Sequence, residues 1–137
     1  MGISTGATSD LSLEWLYDRR IGVFTLHSSH RDVIDRWCEQ IIDLRRTYPM
    51  DKPLLLAHDT SQVSITPYAR HRLQQLSSHA IQHKGRFAVI IKDGVVERGI
   101  SLLINRMFMQ IYRGVEQGQC FTTKERAIAW LAEWLTP

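Results

Sequence analysis

Apolar positions change their spacing several times along the chain, and each change marks an element. Two runs rich in apolar and β-forming residues, Leu13 to Tyr17 and Ile21 to Leu26, flank Asp18, Arg19 and Arg20 and predict a β-hairpin. Its turn lacks an Asn-Gly or Asp-Gly pair, and Gly22 falls within the second strand. From Arg31 the spacing becomes helical, with Val33, Ile34, Trp37, Cys38, Ile41 and Ile42 on one stripe as far as Tyr48-Pro49. Ser29 is the expected N-cap, with Asp32 three residues later. Pro53 to His58 and Phe87 to Ile91 are short, nearly continuous apolar runs, the pattern of strands covered on both faces.

Between those runs a second helix is predicted, capped by Thr66, with Pro67 at its first position and Ala69, Leu73, Leu76 and Ala80 as its stripe; Gly85 suits its end. A third helix carries Ile100, Leu103, Ile104, Met107, Phe108 and Ile111 and should stop near Gly114, before a short strand at Gln119 to Phe121. Thr122-Thr123-Lys124-Glu125 fits a capping box, and Ala127, Ile128, Leu131, Trp134 and Leu135 give the last helix its apolar face. The order ββαβαβαβα predicts an α/β fold: one mixed, mostly parallel five-stranded sheet flanked by four helices.

The chain's 137 residues, 44% of them hydrophobic, suit a single domain over residues 11–137 behind a flexible N-terminus at residues 1–10. That terminus has no basic or apolar region of a signal peptide, and no apolar run approaches membrane-spanning length, so a cytoplasmic protein without a transmembrane segment is expected. Cys38 and Cys120 stand far apart, outside any Cys/His cluster, and read as reduced thiols packed like small hydrophobes.

Three stretches carry a family resemblance: the opening hairpin with Gly22, the segment LLLAHDTSQVSIT (Leu54 to Thr66), and the terminal CFTTKERAIAWL (Cys120 to Leu131). Over about residues 11–136 the chain resembles the STAS domain, in the SpoIIAA-like group related to bacterial anti-sigma factor antagonists. The resemblance implies a bacterial, cytoplasmic, non-enzymatic binding module. In the antagonists, a serine that follows an aspartate at the start of the second major helix switches partner binding when phosphorylated. Here the corresponding residues are Ile65-Thr66-Pro67-Tyr68, without the Asp-Ser-Ser-Gly pattern, so Thr66 reads as a helix cap rather than a switch.

Candidate chemistry is sparse. Asp59 and Asp93 follow the two central strands and should emerge at one carboxyl edge, where open α/β sheets place ligands, although both also suit turns. His79 and His83 share a helical spacing of four without a carboxylate to complete a metal site, and His27 and His30 bracket two serines without an orienting acid, so neither metal nor cofactor is expected. Trp37 and Trp134 fall on core stripes; Trp130 lies off its stripe and suits an interface.

Charge is more informative in its distribution than in its sum of +3. Residues 60 to 92 hold no Asp or Glu but carry Arg70, Arg72, Lys84, Arg86 and Lys92, a local net charge of +5. The expectation is a protein partner with an acidic surface, met by Asp59, Ser64, Thr66, Arg70, Arg72, Lys84 and Arg86; specific nucleic-acid binding is not expected, and a homodimer is compatible with the sequence. The alternative is a small apolar-ligand or lipid carrier, its cleft between sheet and helices covered by the third helix.

Overall fold

A computed structural model describes residues 10–77, 84–94 and 116–135. Its elements run β1 (Leu11–Leu16), β2 (Ile21–Leu26), α1 (Arg31–Thr47), β3 (Leu54–Asp59), α2 (Pro67–Ser77), β4 (Gly85–Ile90), β5 (Glu116–Phe121) and α3 (Lys124–Ala132). The expected helix at Ile100 to Ile111 lies outside the described residues, as do Ala80, His79 and His83. The strands form one five-stranded sheet in the order β1-β2-β3-β4-β5; β1 runs antiparallel to β2, and every other pair is parallel. This is the predicted α/β class and mixed sheet.

Strand alternation distributes the core over both faces of the sheet. Phe24, Leu26, Leu54, Leu56, Phe87 and Val89 point to one side and pack with Val33, Ile34, Trp37, Cys38 and Ile41 of α1 and with Ala69 and Leu76 of α2. Ile21, Val23, Leu55, Ala57, Ala88 and Ile90 point to the other and pack with Ala127 and Leu131 of α3. Each fully buried aliphatic or aromatic side chain contributes about 1.5–3 kcal/mol, which explains why the two apolar runs of the sequence became the central strands β3 and β4. Consecutive strands lie side by side with α1 and α2 on the same face, as successive right-handed crossovers require.

Several local expectations need correction. The hairpin turn takes in Tyr17 as well as Asp18 to Arg20, and Tyr17, Asp18 and Arg19 all have positive φ, 54°, 53° and 63°. The Arg20 amide donates to the carbonyls of both Leu16 and Tyr17, closing a left-handed turn. Helix α1 is capped at His30, not Ser29, with no side-chain capping bond, while Ser28 Oγ accepts from the His30 amide. Gly85, expected at the end of the second helix, is the first residue of β4, where a Cβ would fall 2.1 Å from the Leu54 carbonyl oxygen and only glycine fits. Gly22 is constrained from across the hairpin, where an added Cβ would meet the Trp15 ring at 3.1 Å. Among the described residues no helix is long and apolar enough to cross a membrane.

Candidate partner-binding surface

The chain leaves β3 at the carboxyl edge of the sheet and reaches α2 through a loop whose polar groups hold one another. Asp59 Oδ1 accepts from the Ser61 amide at 3.0 Å and from Ser61 Oγ at 2.6 Å, an Asx turn that starts the loop. Thr60 is buried, and both its amide and its hydroxyl donate to the Ile90 carbonyl at 2.9 Å, tying the loop to β4. His27 Nδ1 hydrogen-bonds Gln62 Oε1 at 2.9 Å, linking the loop to the end of β2. At the far end Thr66 Oγ1 accepts from the Ala69 amide at 3.1 Å, the N-cap expected ahead of Pro67. Ser64 stays exposed between these anchors.

Helix α2 is fixed against α1 by a polar cluster at their outer seam. Tyr68 Oη donates to Asp35 Oδ1 at 2.5 Å, Arg72 Nε lies 3.2 Å from the same oxygen, and the Arg31 guanidinium sits 4.7 Å over the Tyr68 ring. The hydrogen bond to Asp35 raises the Tyr68 pKa above its ordinary value. Below this seam, burial pushes the Cys38 thiol up to about 11, with the Arg72 guanidinium opposing the shift, so this cysteine is a protonated core residue at neutral pH. The sequence pointed to Arg72 but not to Asp35, Tyr68 or Arg31. Spacings of four join Arg31 to Asp35 on one helix and Tyr68 to Arg72 on the other; that was the available signal, but the seam between the helices is tertiary.

The predicted site residues do not share one surface. Asp59, Ser64, Thr66, Arg70 and Arg72 belong to the loop and α2, with Arg70 exposed and Arg72 engaged with Asp35 and Gln75. Arg86 follows the opposite parity of β4 and points to the α3 face, where its guanidinium lies 4.3 Å from the Trp130 ring and 4.6 Å from the Trp134 ring. It donates to the Trp130 carbonyl at 2.8 Å and pairs with Glu133 at 2.9 Å. Lys84 stands 5.7 Å over Trp134 on the same side. The expectation of one cationic patch from Arg70, Arg72, Lys84 and Arg86 is therefore corrected: strand parity separates it into two. Trp130 is half-buried, with the Arg86 guanidinium over its ring and the Phe121 ring 5.5 Å away.

Asp93 is exposed beyond β4 at the same carboxyl edge as the loop. Among the described residues, no group of three or more His, Cys, Asp or Glu could hold a metal ion. Comparison with family models found no match to this chain, and searches of curated proteins and of solved structures found none either.

Proposed function

We propose that the chain is a STAS-like binding module, built on the scaffold that the anti-sigma factor antagonists resemble but without their phosphoserine switch, and that it works by docking a protein in a bacterial cytoplasm. The observation that carries this reading is the loop from Asp59 to Thr66. It is anchored at both ends and at Thr60, with the Asp59 carboxylate and Thr66 hydroxyl committed to backbone amides, while Ser64 and Arg70 face solvent. A rigid loop carrying exposed side chains is a recognition element; its committed hydroxyls and carboxylate serve shape rather than proton transfer. The opening antiparallel hairpin followed by parallel strands in sequential order supports the same scaffold. Arg70, with Arg72 and Arg31 along the α1–α2 seam, gives the surface its positive side and fits an acidic partner.

The test is affinity capture from the source cell extract with immobilised wild type, Arg70→Glu and Ser64→Glu, alongside thermal unfolding of each. The reading requires a protein retained by the wild type, released by rising salt, and lost in both variants at unchanged unfolding temperature. Equal capture by all three refutes it.

A further inference from the structure

The sheet ends at β1, and the pairing of β1 with β2 fixes which of its backbone groups face outward. Directly opposed residues of an antiparallel pair alternate between those that exchange hydrogen bonds and those that do not. The His27 amide donates to the Asp10 carbonyl at 2.9 Å in this register, so Asp10, Ser12, Glu14 and Leu16 turn their N–H and C=O groups toward β2. Leu11, Leu13 and Trp15 therefore turn theirs toward the edge, where these backbone groups have no hydrogen-bond partner among the described residues.

Edge strands of monomeric proteins are commonly guarded against further pairing by Lys, Pro, a bulge or an inward-pointing charge. This strand, LSLEWL, contains no Lys, Arg or Pro, and it pairs with β2 without a bulge. Its single charge is no guard, because Glu14 lies on the α3 side and pairs with Lys124 at 3.5 Å. Leu13 and Trp15, on the α1 side, are partly buried, so each keeps apolar surface at the edge.

We propose that β1 pairs antiparallel with β1 of a second copy of this chain, about a two-fold axis at Leu13, joining the two sheets into one. The strand is self-complementary in this register. Leu13 opposes its own copy and Leu11 opposes Trp15, so the outward N–H and C=O groups of all these residues meet partners. Opposed residues share a face, so Leu11, Leu13 and Trp15 of both copies form one apolar row on the α1 side. On the α3 side Ser12 opposes Glu14, whose carboxylate can accept from the serine hydroxyl. Neighbouring registers fail: an axis at Glu14 sets two carboxylates face to face, and one at Ser12 carries Trp15 past the start of the partner strand. An axis at Trp15 opposes Leu13 to Tyr17, whose φ of 54° is left-handed. A copy is the occupant because β1 itself meets every condition of backbone, parity and charge that its edge sets. A six-residue edge buries less than the roughly 1,200–2,000 Å² of a standard stable interface, so the dimer should be reversible. The inference does not rest on the function proposed above.

The test is sedimentation equilibrium of the full chain from micromolar to millimolar concentration, with amide hydrogen exchange followed by NMR over the same range. A monomer–dimer equilibrium is expected, in which the amides of Leu11, Leu13 and Trp15 exchange more slowly as concentration rises. Those of Ser12 and Glu14, bonded to β2, should be protected at every concentration. Ser12 is exposed, so its variants should unfold at the wild-type temperature. Ser12→Glu places like charges opposite one another at two symmetry-related contacts and should raise the dimer Kd about tenfold; Ser12→Lys should lower it by a similar factor, and rising salt should shrink both effects. A wild type that stays monomeric throughout overturns the proposal, as does a dimer indifferent to both Ser12 variants or one that leaves the Leu11, Leu13 and Trp15 amides unprotected. Protection of those amides that appears only when a different protein is added overturns it in favour of a foreign strand.

Discussion

On the α1–α2 face the strands point Phe24, Leu56, His58 and Phe87 inward, whereas on the α3 face they present Val23, Ala57 and Ala88. The first face is filled by large rings around one buried polar group. His58, 5% exposed, stacks on Phe24 at 5.4 Å, meets Phe87 edge-on, and accepts a hydrogen bond on Nδ1 from Trp37 Nε1 at 3.0 Å. Burial, aided by the Arg45 charge, pushes its pKa down to about 3, so the ring stays neutral and serves as an acceptor. The second face carries aliphatic strand residues and no aromatic one among β2 to β4, its Ala57 and Ala88 set beside Ile21, Leu55 and Ile90, and it holds the Arg86 guanidinium near Trp130 and Trp134. One face keeps its polar group by neutralising it. The other keeps a charge by surrounding it with rings, a carbonyl and a carboxylate.

The largest effect should come from removing the ring that connects α1 to His58. Trp37→Ala leaves a cavity and strips His58 of its donor, and is expected to lower stability by about 3–5 kcal/mol in urea unfolding. A loss below that of Leu131→Ala on the α3 face would reverse the comparison.

Acid should distinguish the faces next. The unfolded chain binds a proton at His58 near pH 6.5 and the folded chain only near 3, so the unfolded state holds more protons between those values and stability falls as pH drops through that window. The expected loss from this group is about 2 kcal/mol between pH 6.5 and about pH 5, and nothing above the window. His58→Gln retains an acceptor for Trp37 but does not titrate, so its stability curve should lack this slope; an unchanged slope would locate the acid sensitivity elsewhere.

On the α3 face, Arg86→Met removes a charge-assisted bond and an ion pair while keeping the stem's packing, and should cost about 1–2 kcal/mol without adding any acid slope in that window. Arg86→Lys retains the charge but loses the planar stack, and should recover part of that loss. The smallest effect belongs to the helix starts. Thr66→Ala beside the first face and Thr123→Ala beside the second each delete a cap and should each cost about 1 kcal/mol, leaving capture of a partner by Thr66→Ala intact. Unequal losses would show that one cap does more than satisfy an amide.

The residues that sequence alone placed correctly are those governed by local rules. Thr66 before Pro67 caps its helix as its neighbours dictate, and the runs LLLA and FAVI became buried strands because continuous apolarity leaves a strand no exposed face; the capping box read from Thr122 to Glu125 is shifted by one, since Thr123 is the cap and accepts from the Arg126 amide. Helix α1 was legible from its stripe, yet its cap moved from Ser29 to His30, since a one-residue shift scarcely alters the periodicity. The hairpin was legible while its left-handed turn was not, because of Tyr17-Asp18-Arg19 only Asp18 is a residue that tolerates positive φ; the Arg19 carbonyl there accepts from Tyr48, distant in sequence.

Sequence by itself determined the α/β order, the stripes of the helices and the concentration of cations between residues 60 and 92. Only the tertiary structure decided how those cations divide, sending Arg70 and Arg72 to one side of the sheet and Lys84 and Arg86 to the other. It also decided that Asp35 meets Tyr68 and that His58 is an uncharged core residue. The reason is physical: hydrogen bonding along the backbone and capping act over a few residues and can be read in order. Strand parity, helix seams and desolvation depend on which distant segments share a face, and that is set when the sheet closes.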